Sequence, residues 1–139
     1  MHDFRRESPR IDVEAMCWEL VDGEEATGLA VDLSSMGVRI ERPFVGGPTR
    51  REVPLQLEVP GFDEVMWAKG EACFDIVVPS NTRTGGVLGL VRRTGYRIAA
   101  AATRDLRMLK EYVVETHRER RRDLEREIEQ MMGGRYLRA

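Results

Sequence analysis

Three arginines near the start of the chain are the residues with the clearest binding chemistry. Arg5 and Arg6 are adjacent, and Arg10 lies four positions after Arg6. A guanidinium group donates two parallel hydrogen bonds to a phosphate, or to any planar ligand group that presents two acceptors side by side. Lysine does not offer this geometry. Because the net charge of the chain is −2, this cluster suits a localised anion site better than a surface that follows a nucleic acid.

A second group of polar residues lies in the segment from Asp32 to Gly37, which has the spacing D-x-S-x-x-G. Asp32 supplies a carboxylate that accepts hydrogen bonds, and Ser34 supplies a hydroxyl. Gly37 is expected to adopt a positive φ in a tight turn that brings the backbone close to a ligand. Each group alone has an ordinary explanation, either as arginines on a solvated terminus or as a serine or Asx turn that closes a hairpin.

Together, in this order and with strand-like sequence between them, the two groups resemble the RxxxR and D/N-x-S-x-x-G signature of PilZ domains, which are bacterial receptors for cyclic di-GMP. The resemblance covers residues 5–115. It implies a mainly β fold, a six-stranded antiparallel split barrel followed by a C-terminal α-helix. It also implies a cytoplasmic receptor that binds cyclic di-GMP and passes the signal to a downstream protein by rearrangement.

The resemblance also assigns the ligand-binding residues. Cyclic di-GMP presents two phosphates and two guanines, and the N7 and O6 edge of guanine accepts a bidentate arginine. The donor edge of the base suits a carboxylate such as Asp32. In the family, an arginine directly before the RxxxR motif favours a stacked dimer of the ligand, and Arg5 occupies that place. Arg39 is an additional candidate that fits a surface charge equally well. The assigned set is Arg5, Arg6, Arg10, Asp32, Ser34 and Gly37.

Catalysis, metal binding and membrane insertion find little support in the remaining sequence. His2 and His117 are far apart, and no nucleophile–base–acid arrangement is present, so we expect no enzymatic activity, no metal site and no cofactor besides the ligand. Cys17 and Cys73 lack CxxC spacing and are predicted to be buried free thiols. No apolar run reaches the ~18 residues that would indicate a membrane span.

Short strands must position the candidate residues. Residues 1–10 form a flexible polar N-terminal lead, and alternating apolar and polar residues predict a β-barrel over residues 11–102. Residues 87–93 and 96–100 are predicted to form a final hairpin around Thr94-Gly95. Several short strands with no helix between them favour an antiparallel barrel or sandwich.

The periodicity changes at Thr103, which is the predicted N-cap of a helix over residues 103–132, followed by a tail over residues 133–139. Its first half is expected to pack on the barrel through Leu106, Leu109 and Val113. The second half carries Leu124, Ile128 and Met131 on one face, which we expect to contact another helix and to support a homo-oligomer.

Two other functions remain open. One is a PilZ-like adaptor that does not bind nucleotide and works through its surface and its helix. The other, less favoured, is a small barrel that binds single-stranded nucleic acid, which the negative net charge does not encourage. The regulated pathway and the downstream partner are not predicted.

Overall fold

The structure, a computed structural model, describes residues 9–48, 50–79 and 89–136. Neighbouring strands are antiparallel, in the order β1-β2-β3-β6-β5-β4, and β1 also pairs with β4, so the sheet closes into a ring. This arrangement confirms the predicted fold class, six antiparallel strands with a C-terminal helix. The elements are β1 (Ile11–Val21), β2 (Glu24–Leu33), β3 (Gly37–Pro43), β4 (Glu52–Leu57), β5 (Met66–Pro79), β6 (Leu90–Ala101) and α1 (Thr103–Tyr136).

Strand alternation places the core inside this ring. Every second residue of β1 from Ile11 to Cys17 is buried, and the residues between them are exposed. A turn at Asp22-Gly23 joins β1 to β2, and both of its residues have a positive φ, 52° and 79°. Paired positive φ values match the twist of a two-residue hairpin, so this turn sets the register of the first strand pair.

The final strand β6 is continuous, so the prediction of a hairpin around Thr94-Gly95 is wrong. β6 pairs with β3 on one side and with β5 on the other across this segment. The glycine reflects a close approach between neighbouring strands and not a turn. A Cβ atom added at Gly95 would lie 2.1 Å from Cε2 of Phe74, so only glycine leaves room for that ring.

The two cysteines have different environments. Cys17 is buried, as predicted, and burial together with the neighbouring Glu19 carboxylate raises the pKa of its thiol. Cys73 is exposed, so the prediction of a buried thiol is wrong for this residue. The register between β5 and β6 shifts between Ala72 and Phe74, and this irregularity interrupts the alternation that the sequence pattern assumed.

The N-terminal half of α1 packs on the barrel, as predicted. Leu109 and Val113 are completely buried and belong to the same apolar cluster as the barrel interior. The N–H of Leu106 donates to the carbonyl of Ala102 at 3.0 Å, so Ala102 holds the N-cap position and Thr103 is the first helical residue. The predicted capping role of Thr103 is therefore wrong by one residue.

The C-terminal half of α1 is exposed to solvent, although Arg120 in its first part donates to the Asp12 carbonyl of β1 at 2.8 Å. Every residue over 118–132 is exposed, including Leu124, Ile128 and Met131. The helix also runs through Gly133-Gly134 to Tyr136, beyond the predicted end at residue 132. A glycine inside a helix costs about 1 kcal/mol relative to alanine, which weakens a helix without ending it. No helix in the described part of the chain is long and apolar enough to cross a membrane.

Candidate ligand-binding site

A cavity of about 760 Å³ brings together the predicted ligand residues that the structure describes. It lies beside the β2–β3 turn and is also bordered by β5, β6 and the first turns of α1. Arg5 and Arg6, which the sequence also assigned to the site, lie outside the described residues. The predicted residues that line the cavity are Arg10, Asp32, Ser34, Gly37 and Arg39.

Two arginines share one carboxylate in this cavity. Arg10 Nη1 lies 3.9 Å from Asp32 Oδ1, and Arg39 Nη1 lies 3.7 Å from Asp32 Oδ2. Both distances are longer than a hydrogen bond, so the pairing is electrostatic. Arg39 Nε is buried and has no hydrogen-bond partner among the described residues. The trio therefore carries one positive charge in excess and retains donor capacity for an anion.

The β2–β3 turn holds Asp32 at the cavity wall. The Ser34 N–H donates to the Gly37 carbonyl at 2.9 Å, and the Ser34 hydroxyl oxygen accepts from the Met36 N–H at 3.3 Å. Ser34 therefore closes the turn, which is the ordinary explanation that the sequence analysis gave for this motif, and it also lines the cavity.

Gly37 does not have a positive φ, so the predicted reason for this glycine is wrong. A Cβ atom at Gly37 would instead lie 3.0 Å from the carbonyl oxygen of Tyr96 on β6. Gly37 is directly opposite Arg97 in the β3–β6 pairing. The glycine thus allows β6 to approach the start of β3, which forms one side of the cavity.

Phe74 supplies an apolar wall that the sequence analysis did not identify. Its ring is 38% exposed and lines the cavity. The guanidinium carbon of Arg39 lies 5.6 Å from the ring centroid, within the range of a cation–π interaction. Gly95 lies directly against the ring and leaves no room for a side chain of its own. An exposed aromatic ring that is fixed in this way is a surface on which a nucleobase can stack.

Three further cations border the cavity. Arg97 donates to Glu71 Oε1 at 2.9 Å, and this hydrogen bond and charge lower the pKa of the Glu71 carboxyl. Arg107 and Lys110 come from α1. Thr103 also lines the cavity, and the spacing of Thr103, Arg107 and Lys110 by four and three residues places them on one face of the helix. The sequence analysis missed these residues, because the sequence alone does not show which helix face meets the barrel.

A buried polar cluster lies behind the cavity. Glu19 is 1% exposed, and Arg42 Nε lies 2.7 Å from its Oε1 atom. The Tyr96 hydroxyl donates to Glu19 Oε2. Burial, and then the charge of Glu19, raise the pKa of Tyr96, so its hydroxyl remains a donor. Because Tyr96 also lines the cavity, this cluster fixes one of its walls.

The lining of the cavity suits the binding of a charged ligand. Its lining combines several cations with one carboxylate, an aromatic ring and hydroxyl groups. Within the described ranges, no group of three or more His, Cys, Asp or Glu residues is arranged to hold a metal ion. Such a lining matches a ligand that is anionic at one part, flat and aromatic at another, and carries hydrogen-bond donors that a carboxylate can accept.

Comparison with solved structures identifies the fold. The PilZ domain with c-di-GMP of YcgR from Escherichia coli has a TM-score of 0.58 and 17% identity, over 87% of this chain and 98% of that chain. The inhibitor of motility MotI/DgrA from Bacillus subtilis has a TM-score of 0.66 and 15% identity, over 84% of this chain. This chain spans 53% of MotI/DgrA. No family model and no curated protein matches the sequence. The structural similarities show a PilZ-like fold, as the sequence predicted.

Proposed function

We propose that this chain is a cytoplasmic bacterial receptor that binds cyclic di-GMP in the cavity described above. The observation that carries the proposal is the convergence of Arg10, Arg39 and Asp32 on one cavity beside the exposed ring of Phe74. The same fold occurs in a PilZ domain solved with c-di-GMP.

Each class of lining residue has a role with this ligand. The guanidinium groups of Arg10 and Arg39 bind phosphate oxygens or the N7 and O6 edge of guanine. The Asp32 carboxylate accepts from the N–H donors on the opposite edge of the base. Phe74 stacks against the flat face of a guanine. Arg10 and Arg39 lie 3.9 and 3.7 Å from Asp32, which is too far for hydrogen bonds. The arginines can therefore turn to acceptors of the ligand while Asp32 binds the N–H donors of the base, so none of the three charged groups loses its partner.

The N-terminal lead supplies the remaining contacts in this proposal. Arg5 and Arg6 precede Arg10, and Arg10 lies directly before β1 at the edge of the cavity. A ligand held by Arg10 is therefore within reach of the two preceding arginines. Closure of these residues over the ligand is the rearrangement that we propose as the signal.

The site is also compatible with a stacked dimer of the ligand. Asp32 and Arg39 border a second cavity of about 660 Å³ in addition to the first. This second cavity adds space and not net positive charge, because Arg93 pairs with Glu41 and the carboxylates of Asp12 and Glu14 lie beside Arg120. With Arg5 in place before the RxxxR motif, we propose that two molecules of cyclic di-GMP bind to each chain.

The exposed C-terminal half of α1 suits an interaction with another protein chain. Leu124, Ile128 and Met131 are 55%, 45% and 71% exposed and share one face. Residues 118–122 are mostly basic, and residues 123–129 are mostly acidic. Two such helices in antiparallel contact would set unlike charges opposite each other while covering the apolar face. We propose a homo-oligomer formed in this way.

Calorimetric titration of the full chain with cyclic di-GMP tests the receptor proposal. Arg6→Ala and Arg10→Ala should each weaken binding at least tenfold, because each removes a charge-assisted hydrogen-bonding group worth about 1.5–3 kcal/mol. Arg121→Ala is the matched control, since Arg121 is an exposed arginine far along α1 that pairs with Glu125. The absence of binding by the wild type, or unchanged binding by both variants, would refute the proposal.

An adaptor that does not bind nucleotide is the second candidate. The long exposed half of α1, with its apolar face, favours this function independently of the cavity. The same titration separates the two candidates. A folded wild type that gives no heat with cyclic di-GMP would support the adaptor.

A further inference from the structure

We propose that the first turns of α1 bind the phosphate groups of the cyclic dinucleotide through Arg107 and Lys110. The helix is then a wall of the ligand site as well as a support for the barrel. This inference rests on the proposed function and assigns a role to residues outside both sequence motifs.

The position of these two cations is fixed by the packing of the helix. Leu109 and Val113 are completely buried in the apolar cluster that fills the barrel. Their burial determines which face of α1 meets the cavity. Leu106, Arg107 and Lys110 line the same cavity as Asp32. A ligand held by the β2–β3 turn therefore has the helix on another side.

The charge balance of the cavity favours a role for these side chains in anion binding. Arg97 is matched by Glu71, and Arg10 and Arg39 share the single charge of Asp32. Among the described residues, neither the Arg107 side chain nor the Lys110 side chain has an ion pair or a hydrogen bond. The cavity thus has two unmatched cations on α1 and one excess charge at the trio around Asp32. A cyclic dinucleotide brings two phosphodiester charges, which these cations can neutralise.

The chemistry of the two walls indicates which part of the ligand each one binds. Asp32 accepts hydrogen bonds and Phe74 offers an aromatic face, so both suit a guanine base. Lysine has three donors and no acceptor, and arginine has five donors and no acceptor. Arg107 and Lys110 therefore cannot bind the N–H edge of a base. The ligand offers them acceptors on phosphate and on the N7 and O6 edge of guanine, and of these only the phosphates carry the negative charge that two unmatched cations neutralise.

The test is calorimetric titration of the full-length chain with cyclic di-GMP at about 50 mM and about 300 mM NaCl, a range over which screening of exposed charges increases strongly. Arg107→Gln and Lys110→Gln should each weaken binding roughly 3- to 10-fold at low salt. The difference from wild type should shrink at high salt, and Lys110→Arg should retain affinity. Arg104→Gln is the matched control, because Arg104 is an exposed cation of the same helix turn that does not line the cavity. Thermal melting without ligand should be unchanged in all variants.

The outcomes separate this inference from the receptor proposal. If the wild type binds and both glutamine variants bind equally well at both salt concentrations, the role of α1 is refuted and the receptor proposal stands. An equal loss in Arg104→Gln would show a non-specific effect of net charge and would also refute it. If the folded wild type does not bind, both proposals fail.

Discussion

The contact between Gly95 and Phe74 gives the sharpest test of how the site is built. A Cβ atom at residue 95 would lie 2.1 Å from the ring, whereas ordinary contacts begin at 3.4 Å, so the ring would have to withdraw by about 1.3 Å. Overpacking of this kind costs about 1–3 kcal/mol. Gly95 does not have a positive φ, so the backbone itself accepts alanine. Gly95→Ala should therefore be destabilising only because of the ring.

A double-mutant cycle isolates that cause. Phe74→Ala alone should cost about 1–2 kcal/mol, because roughly three fifths of the ring is buried and full burial of Phe is worth about 1.5–3 kcal/mol. In that background Gly95→Ala should cost nothing, or should stabilise by about 0.4–1 kcal/mol through the reduced entropy of the unfolded chain. The interaction energy between the two positions should be about 1–3 kcal/mol.

Urea unfolding of the four proteins without ligand measures the cycle. Titration with cyclic di-GMP adds a functional readout, since displacement of the ring by Gly95→Ala should also weaken binding through loss of the stacking surface. Additive effects of the two substitutions on the free energy of unfolding would refute the close contact between β5 and β6 on which this reasoning depends.

Four further predictions follow from the sequence and the structure together. Asp32→Ala should weaken binding of cyclic di-GMP and remove the preference over cyclic di-AMP in calorimetry; a wild type that responds equally to both nucleotides would indicate simple attraction to phosphate. Arg5→Leu should reduce the stoichiometry from two ligands per chain to one, and a ratio of one for the wild type would contradict the stacked dimer. Tyr96→Phe should lower the free energy of unfolding by about 1–3 kcal/mol, because buried Glu19 loses a donor. The pKa of Tyr96 is raised in the folded state, so its contribution to the free energy of unfolding is complete below the unfolded pKa of about 10 and is lost as the pH rises above that value. In urea titrations above about pH 10, the stability of the wild type should therefore fall more steeply than that of Tyr96→Phe. Removal of residues 117–139 should leave a folded, ligand-binding barrel with a lower mass in light scattering, and a full-length protein that is monomeric at high concentration would contradict self-association.

Local sequence patterns were sufficient for much of the fold. Alternation in β1 and the apolar spacing of Leu109 and Val113 depend on residues close in the chain, and both were predicted correctly. The glycines were harder to interpret, because a glycine can mark either a turn with a positive φ or a place where a neighbouring strand comes too close for a side chain. At Gly37 and Gly95 the sequence suggested turns, and the structure shows neighbouring strands instead.

The site was only partly predictable for a related reason. Arg10, Asp32 and Arg39 belong to motifs or lie beside them, so their types and spacing identified them. Phe74 reaches the cavity through an irregular register in β5, which no alternation pattern predicts. Arg107 reaches it because α1 crosses the barrel in one particular orientation, which is determined by packing between residues distant in sequence.

The position of the buried anchor near one end of α1 gives the helix the geometry of a lever. From Val113 to the last helical residue, Tyr136, the helix extends ~35 Å at 1.5 Å per residue. The cavity-lining residue Lys110 lies less than one turn from that anchor. A rotation of ~10° about Val113, which must release the hydrogen bond from Arg120 to the Asp12 carbonyl, moves atoms near Lys110 by less than 1 Å and carries the far end of the helix ~6 Å. A displacement small enough to fit within the packed cavity is therefore large enough at the tip to make or break contact with another protein.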